Sequence, residues 1–317
     1  MKFLYVLCSD SNDLYFEQAL LSITSLRNKM PESHISLLTD NQSANELRNN
    51  GKRKIIFDLI NEFKEFPFTE DKNKKYRSRW IKTSMRKHID GDFLYLDCDT
   101  VIADYIKLNT AADLLSVLDI HLPLKKRLKN EHYREIHINR DESLGFITSP
   151  KNYYNGGIMF CRDVPVSHTF FDLWHKYWLS CVEKGISDDQ PSLNMANTQL
   201  GNIITELDGT WNCQLVRSGI PYLGNAKIIH YFNASDNSKK YILAKANTYE
   251  SIKKLGYIPN DIKKLLKHPR AAFCLGKNKT RYSFADKLLN IALIILFSFP
   301  LNLIFFPFAK IQRCINS

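Results

Sequence analysis

The first forty residues alternate between two short apolar stretches and one stretch of helical length. Residues 2–7 form an apolar run of strand length, and residues 34–39 form a second. Between them, apolar side chains from Leu14 to Met30 recur broadly on one side of a helix that Pro31 ends. Strand, helix and strand of these lengths make a βαβ unit with parallel strands and a right-handed crossover. We therefore predict an α/β fold built on a parallel sheet.

Similar patterns continue towards the middle of the chain. We predict a helix over residues 44–49, a third strand over residues 54–59, a basic helix over residues 74–88 and another helix over residues 111–119. No linker rich in Gly or Pro divides residues 1–238, so these residues are predicted to form one domain.

A further predicted strand runs directly into two acidic residues. Residues 93–102 read Phe-Leu-Tyr-Leu-Asp-Cys-Asp-Thr-Val-Ile. Side chains two apart on an extended chain point the same way, so Asp97 and Asp99 can converge on one point. Buried carboxylates need a cationic partner, and two oxygen ligands suit Mg²⁺ or Mn²⁺ completed by phosphate and water. The alternative is a strand-end turn with solvated Asp side chains, which only the structural context can exclude.

Three later segments each have a structural and a functional interpretation. Residues 155–157 read Asn-Gly-Gly before an apolar run, where Gly permits either a turn or close approach of a ligand. Residues 188–190 read Asp-Asp-Gln at the start of a predicted helix, as an ordinary cap also would. His230 ends a short apolar strand, where a lone His is more often structural than a ligand.

The net charge of +11 is concentrated near the C-terminus. Residues 239–287 carry 13 Lys and Arg against three acidic residues, whereas residues 1–238 carry a balance of −1. The basic residues lie beside an apolar tail, and no nucleic-acid-binding motif occurs in the sequence. A role in binding DNA or RNA is therefore disfavoured.

Residues 288–309 are nearly all apolar. At about 1.5 Å per residue, a straight helix of this length can cross a hydrocarbon core of about 30 Å. Pro300 would kink it or turn it back, so an interfacial or re-entrant anchor and a true span both stay open. Packing on the protein's own core is the least favoured arrangement.

Several features of the sequence predict that the chain lies at the cytoplasmic face of a membrane. Basic residues next to an apolar anchor attract anionic lipid and favour the cytoplasmic side. The apolar run at the N-terminus is too short for a secretory signal. The seven Cys residues are scattered without a Cys-x-x-Cys pair, which fits a reducing compartment.

The order of the motifs resembles that of a known family. The motifs are Ser9-Asp10 after the first strand, the basic helix, Tyr-Leu-Asp-Cys-Asp at 95–99, Asn-Gly-Gly at 155–157, Asp-Gln-x-x-Leu-Asn at 189–194, Trp-Asn at 211–212 and Ile-Ile-His at 228–230. Together they resemble the retaining, nucleotide-sugar-dependent glycosyltransferases of family 8, which include glycogenin-like enzymes and bacterial galactosyl- and glucosyltransferases of lipopolysaccharide assembly. The resemblance covers roughly residues 1–235.

This resemblance implies the GT-A architecture, a Rossmann-like mixed sheet flanked by helices. The predicted organisation is a catalytic domain over residues 1–238, a basic helical region over 239–287 and a membrane-associated segment over 288–309.

The resemblance also implies where the donor and its metal ion bind. Mn²⁺ or Mg²⁺ would bridge the donor diphosphate and neutralise charge on the leaving group, a Lewis-acid role. The implied metal ligands are Asp97, Asp99 and His230. The implied contacts to the nucleotide base and ribose are Asp10, Asp13 and Tyr15.

The sugar side of the donor has its own implied contacts. Lys82 or Arg79 would lie near the phosphates or the sugar, and the register leaves both possible. The residues implied to line the sugar site are Asn155, Gly156 and Gly157. Asp189 would bind donor hydroxyl groups, and Gln190 would lie near the anomeric carbon.

Two routes to retention of configuration stay open. In front-face attack the leaving phosphate takes the acceptor proton, whereas double displacement requires an enzyme nucleophile. The neutral amide of Gln190 is a poor nucleophile, which favours the front-face route. Asp188 and Asp189 keep the second route possible.

The chain departs from the family after His230. The family usually has a Gly and then Lys-Pro-Trp there, which grip the diphosphate. Here residues 231–241 contain neither that Gly nor Pro-Trp, and Lys239 or Lys240 can supply the cation instead. Stabilisation of the leaving group is where the resemblance is weakest.

The resulting functional hypothesis is transfer of a hexose from a nucleotide-diphosphate sugar, with a UDP-sugar expected. The acceptor would be a saccharide or a lipid-linked oligosaccharide in surface-glycan or lipopolysaccharide synthesis, and composition suggests acceptor contacts within residues 125–140. The alternative enzyme is a sugar-1-phosphate nucleotidyltransferase. That class would be expected to have a Gly-rich, basic loop after the first strand, but residues 8–12 contain neither Gly nor Lys.

Overall fold

A computed structural model describes residues 1–69, 71–146, 152–215, 219–234 and 241–273, together with residues 285, 288, 291 and 292. The strands are β1 (Lys2–Leu7), β2 (Ile35–Asp40), β3 (Glu62–Phe66), β4 (Phe93–Leu96), β5 (Thr100–Ile102), β6 (Leu114–Leu118), β7 (Tyr154–Cys161), β8 (Thr205–Leu207), β9 (Cys213–Gln214) and β10 (Ile228–His230). The α-helices are α1 (Tyr15–Lys29), α2 (Asn41–Asn49), α3 (Lys74–Ser84), α4 (Leu124–Arg127), α5 (Glu131–Leu144), α6 (Pro165–Glu183), α7 (Gln190–Gln199), α8 (Ala246–Leu255), α9 (Asn260–Lys267) and α10 (Pro269–Ala272).

Seven strands form one mixed sheet in the order β3-β2-β1-β4-β7-β6-β8. The first four of these strands are parallel, and β7 runs antiparallel to both β4 and β6. This confirms the α/β prediction and the parallel pairing of the first two strands. In such sheets ligands bind beyond the carboxyl ends of the strands, and β1 and β4 lie side by side there.

A second sheet of three strands, in the order β5-β10-β9, continues from the end of β4. The chain leaves β4, passes through Asp97 and Asp99, and enters β5 directly. β5 pairs antiparallel with β10, and this register places His230 opposite Thr100. The two sheets therefore meet at the acidic turn.

The inner strands of the main sheet are buried on both faces. Phe3, Tyr5 and Leu7 of β1 join the core on one face, while Leu4 and Val6 join the core on the other, as alternation along a strand requires. The first core includes side chains of α1, α8 and α9, and the second includes side chains of α3, α6 and α7. The described part of the basic region, residues 241–273, thus packs against the same sheet as α1.

The predicted third strand was placed too early. Residues Lys54–Asp58 form a 3₁₀ helix, in which only Ile56 is buried. The third strand is Glu62–Phe66, which lies at the edge of the sheet with all five residues partly or fully exposed. An edge strand needs little apolar surface, so its composition is polar.

The helix predicted over residues 111–119 was also wrong. Residues Leu114–Leu118 form a strand, fully buried between β7 and β8. Periodicity cannot separate a short buried strand from a buried helix segment, and here pairing on both edges decides the structure.

No helix among the described residues is long and apolar enough to cross a membrane. The predicted anchor over 288–309 lies outside the described residues except at positions 288, 291 and 292, and Lys239 and Lys240 also lie outside them. The division into a catalytic domain, a basic region and an anchor remains a prediction.

The packing of α9 predicts a large effect of a single truncation. Leu266 is 0% exposed, so Leu266→Ala should lower the free energy of unfolding by about 2–5 kcal/mol in urea denaturation. Lys263→Ala changes an exposed residue of the same helix and should cost less than about 0.5 kcal/mol. Equal midpoints for wild type and Leu266→Ala would show that α9 is not part of the core.

Candidate active site

Three potential metal ligands converge where the two sheets meet. One ligand atom from each of Asp97, Asp99 and His230 lies within 4.8 Å of the other two. The backbone N–H of Asp97 donates to the carbonyl of Gly157 (2.8 Å), which ties the turn to β7. The structure thus brings together the three residues that the sequence suggested as metal ligands.

The space beside these ligands depends on Gly157. A Cβ atom at this position would lie 2.6 Å from Cε1 of His230 and 2.8 Å from Oδ2 of Asp97, both too close. Two carboxylates and one imidazole are a donor set that suits Mn²⁺ and is compatible with Mg²⁺. The residues present therefore fit a divalent cation, with Gly keeping room for the ligand side chains.

Asp99 is held in its ionised form. Its burial alone would raise the pKa of the carboxyl group, but the charge and hydrogen bond of His230 outweigh this and hold the pKa below the usual range. Nε2 of His230 lies 3.2 Å from Oδ1 of Asp99, and the backbone N–H of Asn233 donates to Oδ2 (2.7 Å). The ring of Phe232 stacks on the imidazole with centroids 4.0 Å apart.

Two cations of α3 face the carboxylates across the cleft. Nζ of Lys82 lies 3.1 Å from Oδ1 of Asp97 and 3.1 Å from Oδ2 of Asp189. Nε of Arg79 lies 3.0 Å from Oδ1 of Asp189. Both cations reach the site because residues three apart share a helix face, so both lie beside Asp189.

These cations set the protonation of Asp189. Burial would raise its pKa, but the charges of Arg79 and Lys82 lower it to about 2. Asp189 is therefore a carboxylate at neutral pH, able to accept hydrogen bonds but weakly basic.

Tyr95 was not among the residues singled out from the sequence. Its hydroxyl donates to Oδ1 of Asp97 at 2.5 Å. Burial and the neighbouring carboxylate raise the pKa of Tyr95 well above its usual value, so the phenol stays a donor. Its position two residues before Asp97 on an extended strand was the available signal.

Asn155, Asp119 and Gln190 form a group of hydrogen-bonded polar side chains near the acidic turn. Nδ2 of Asn155 donates to Oδ1 of Asp119 (3.1 Å) and to Oε1 of Gln190 (3.3 Å). Gly156 lies next to Asp189 and Lys82. A Cβ atom added at Gly156 would make ordinary van der Waals contacts with both side chains. Asp119 was also missed, because it is the last residue of the helix predicted over residues 111–119.

Asp188 occupies a different position from Asp189. Its side chain is 60% exposed and pairs with Lys75 at 2.8 Å. Asp189 is the member of the acidic pair that contacts Lys82 and Arg79.

A cleft of about 600 Å³ extends from the acidic turn along the end of β1. Nζ of Lys74 lies 2.7 Å from Asp10 and 2.6 Å from Asp13, and Tyr15 lines the cleft with 42% of its surface exposed. Burial would raise the pKa of Asp10, but its hydrogen bond with Lys74 lowers it. Asp10 and Asp13 thus lie on the loop between β1 and α1, and Tyr15 begins α1 beside the cleft.

Arg53 is a buried support for this loop that the sequence did not reveal. Its guanidinium donates to the backbone carbonyl of Asp10 (2.8 Å) and lies 3.5 Å from the carboxylate of Glu17. Arg53 is 2% exposed and Glu17 is 1% exposed. A buried ion pair of this kind holds the loop against α1.

No protein-family model matches this chain, and no curated protein matches its sequence. Solved structures do match. Mouse xyloside xylosyltransferase 1 in its apo form is 12% identical over 72% of this chain and 96% of its own, with a TM-score of 0.46. The galactosyltransferase LgtC in complex with donor and acceptor sugar analogs is 13% identical over 83% of this chain and 99% of its own, with a TM-score of 0.49.

The apo structure of the bifunctional glycosyltransferase WbbM reaches a TM-score of 0.50 at 14% identity. The match covers 76% of this chain but only 47% of the WbbM chain. At this identity the likeness concerns the fold. The chain has the GT-A fold of the glycosyltransferases, which confirms the architecture expected from the sequence resemblance.

The converging ligands predict binding of a divalent cation, for which Mn²⁺ is a convenient probe. Asp99→Asn should weaken Mn²⁺ binding by about 100-fold or more, because loss of a direct ligand costs more than the about 10–100-fold of an outer-shell partner. Electron paramagnetic resonance of free Mn²⁺ measures this. Asp104→Asn, the same change at a carboxylate that pairs with Arg270 outside the cluster, should leave affinity unchanged. Equal affinity in Asp99→Asn and wild type would rule out Asp99 as a ligand.

The buried pair of Arg53 and Glu17 predicts a stability effect. Arg53→Met leaves the Glu17 carboxylate buried without its partner and should cost about 3–5 kcal/mol in the free energy of unfolding. Arg48→Met removes an exposed ion pair with Glu65 and should cost about 1 kcal/mol or less. Similar losses for both variants in urea denaturation would contradict the supporting role of Arg53.

Proposed function

We propose that this chain is a glycosyltransferase that moves a hexose from a nucleotide-diphosphate sugar to a saccharide or glycolipid acceptor. The observation that carries the proposal is the meeting of an Asp-Asp-His cluster with two α3 cations at one end of the cleft, within a GT-A fold. A cleft of about 600 Å³ falls within the range of about 300–1,000 Å³ typical of ligand sites.

The charges of the site suit a diphosphate donor, with UDP as the proposed nucleotide. Arg79 and Lys82 supply cations that prefer phosphate oxygens. Asp97, Asp99 and His230 would hold Mn²⁺ or Mg²⁺, which when bound supplies Lewis-acid neutralisation of the leaving diphosphate. Tyr95 keeps Asp97 oriented by its hydrogen bond. Asp10, Asp13 and Tyr15 are the proposed contacts of the base and ribose, and Arg53 supports the loop before Tyr15 by its bond to the Asp10 carbonyl.

The geometry around α7 supports the front-face route with retention. Asp189 has a pKa of about 2 and is shared between Arg79 and Lys82, so it is suited to accept hydrogen bonds from sugar hydroxyls and poorly suited to attack carbon. Gln190 is a neutral amide bonded to Asn155. Asp188 is turned to the exposed rim. In the front-face route the leaving phosphate takes the proton from the acceptor hydroxyl.

The proposed acceptor is a lipid-carried oligosaccharide at the cytoplasmic face of a membrane, in surface-glycan or lipopolysaccharide synthesis. Support comes from the charge of residues 239–287, where 13 basic residues precede an apolar segment. In α9 the side chains of Lys263, Lys264 and Lys267 are exposed while Ile262, Leu265 and Leu266 are buried. This helix therefore presents positive charge outwards, which suits an anionic membrane surface.

The proposed activity predicts metal-dependent hydrolysis or transfer from one of a panel of nucleotide sugars. Asp97→Asn and Asp189→Asn should each lower the rate by about 100-fold or more, because each removes charge that acts on the reacting donor. Mn²⁺ removal by EDTA should abolish turnover, and re-addition should restore it. Asp104→Asn is the matched control and should retain activity.

The stereochemical outcome is checked separately by NMR of the product anomer. Retention is expected. A wild-type rate in Asp97→Asn, or turnover in the presence of EDTA, would contradict the metal assignment. A product with inverted configuration would contradict the front-face route. If no nucleotide sugar is turned over by the wild type, the proposed activity is wrong.

A further inference from the structure

A line of buried polar side chains connects the sugar side of the site to the imidazole of His230. Its members are Asp119, Asn155, Asn212 and His230. They are 2%, 5%, 0% and 2% exposed, respectively. Buried polar groups of this kind are almost always hydrogen-bonded, so the donors and acceptors along the line must alternate. Asn212 belongs to a Trp-Asn motif for which the sequence suggested no role.

The orientation of the first amide is determined from two directions. A carboxylate only accepts hydrogen bonds, so Nδ2 of Asn155 must face Oδ1 of Asp119 (3.1 Å). A backbone N–H only donates, so Oδ1 of Asn155 must face the N–H of Gly157 (2.9 Å). Both requirements select the same orientation of the Asn155 amide.

The orientation of the Asn155 amide determines that of the Asn212 amide. Oδ1 of Asn155 also meets the side chain of Asn212 at 3.0 Å, so Asn212 must present its Nδ2 donor there. Its Oδ1 then faces Nδ1 of His230 at 3.1 Å. An amide oxygen only accepts, so Nδ1 of His230 must carry a hydrogen.

The other ring nitrogen is then the one available to a metal ion. Nε2 points at Oδ1 of Asp99, 3.2 Å away, within the cluster of metal ligands. A divalent cation at this point would take the place of any hydrogen on Nε2, which would leave a neutral imidazole with its hydrogen on Nδ1 and its Nε2 lone pair directed at the ion. Hydrogen bonding to the far nitrogen is the usual way in which a protein selects the tautomer and ring orientation of a histidine ligand.

We propose that Asn212 is a positioning residue that holds His230 with Nδ1 protonated and Nε2 directed at the divalent cation. The inference rests on the metal site of the proposed function and adds a residue to it. Asn212 takes its own orientation from Asn155, which also bonds Gln190 on the sugar side. The metal ligand and the proposed sugar contacts therefore belong to one hydrogen-bonded network.

The first test compares Mn²⁺ affinities by electron paramagnetic resonance. Asn212→Leu keeps the volume but removes the acceptor, and it should weaken Mn²⁺ binding by about 10–100-fold. Asn197→Leu is the matched control, because Asn197 is equally buried, lies in α7 and bonds Ile204 and Asn202 instead. It should lose stability without losing affinity for Mn²⁺. Equal Mn²⁺ affinity in Asn212→Leu and wild type overturns the inference.

The second test needs no variant and no catalytic assay. Long-range ¹H–¹⁵N NMR of the wild-type protein with Zn²⁺, a diamagnetic probe that imidazole binds, reports the state of each ring nitrogen. Nδ1–H with a ligated Nε2 is expected. A hydrogen on Nε2 with Nδ1 unprotonated overturns the inference even if Asn212→Leu does not fold.

Two results separate the inference from the proposed function. If the wild type binds neither Mn²⁺ nor Zn²⁺, the metal site itself is wrong and the inference falls with it. If the wild type binds Mn²⁺ and Asn212→Leu binds it as tightly, the role of Asn212 is wrong and the metal site stands.

Discussion

The antiparallel pairing of β5 with β10 is the interaction on which the site depends. It places His230 opposite Thr100, one residue beyond Asp99, and so completes a cluster whose acidic members lie in the turn between β4 and β5. Register in a strand pair is all-or-none, since a slip of one residue would turn His230 to the opposite face. The small second sheet therefore positions the imidazole of His230 next to the carboxylates of Asp97 and Asp99.

Basic and acidic side chains pair with one another around the junction of the two sheets and along the cleft. Lys82 lies between Asp97 and Asp189, and Lys74 lies between Asp10 and Asp13. These cations lower the pKa of both Asp10 and Asp189. The low pKa of Asp189 limits its basicity, which suits binding and orientation better than nucleophilic attack.

The C-terminal basic region is connected to the loop after β1. Nζ of Lys253 in α8 donates to the backbone carbonyl of Asp13 (2.9 Å), and Nζ of Lys52 donates to the carbonyl of Lys254 (2.6 Å). Residues of α8 and α9 also complete the core against α1. The described part of this region is thus a structural element of the fold and a support of the loop after β1, and it also carries exposed basic side chains.

The sequence alone determined the α/β class and the convergence of Asp97 and Asp99, because strand periodicity and Asp-x-Asp spacing are local properties. His230 was expected at the same point only from the family resemblance. The sequence pattern misplaced β3, a polar edge strand, and β6, whose buried apolar run has no distinctive period. Only the tertiary structure decided that both Arg79 and Lys82 contact Asp189, that Asp188 faces outward, and that Asn212 bonds His230. Those contacts join distant segments, and the packing that brings them together leaves no trace in local spacing.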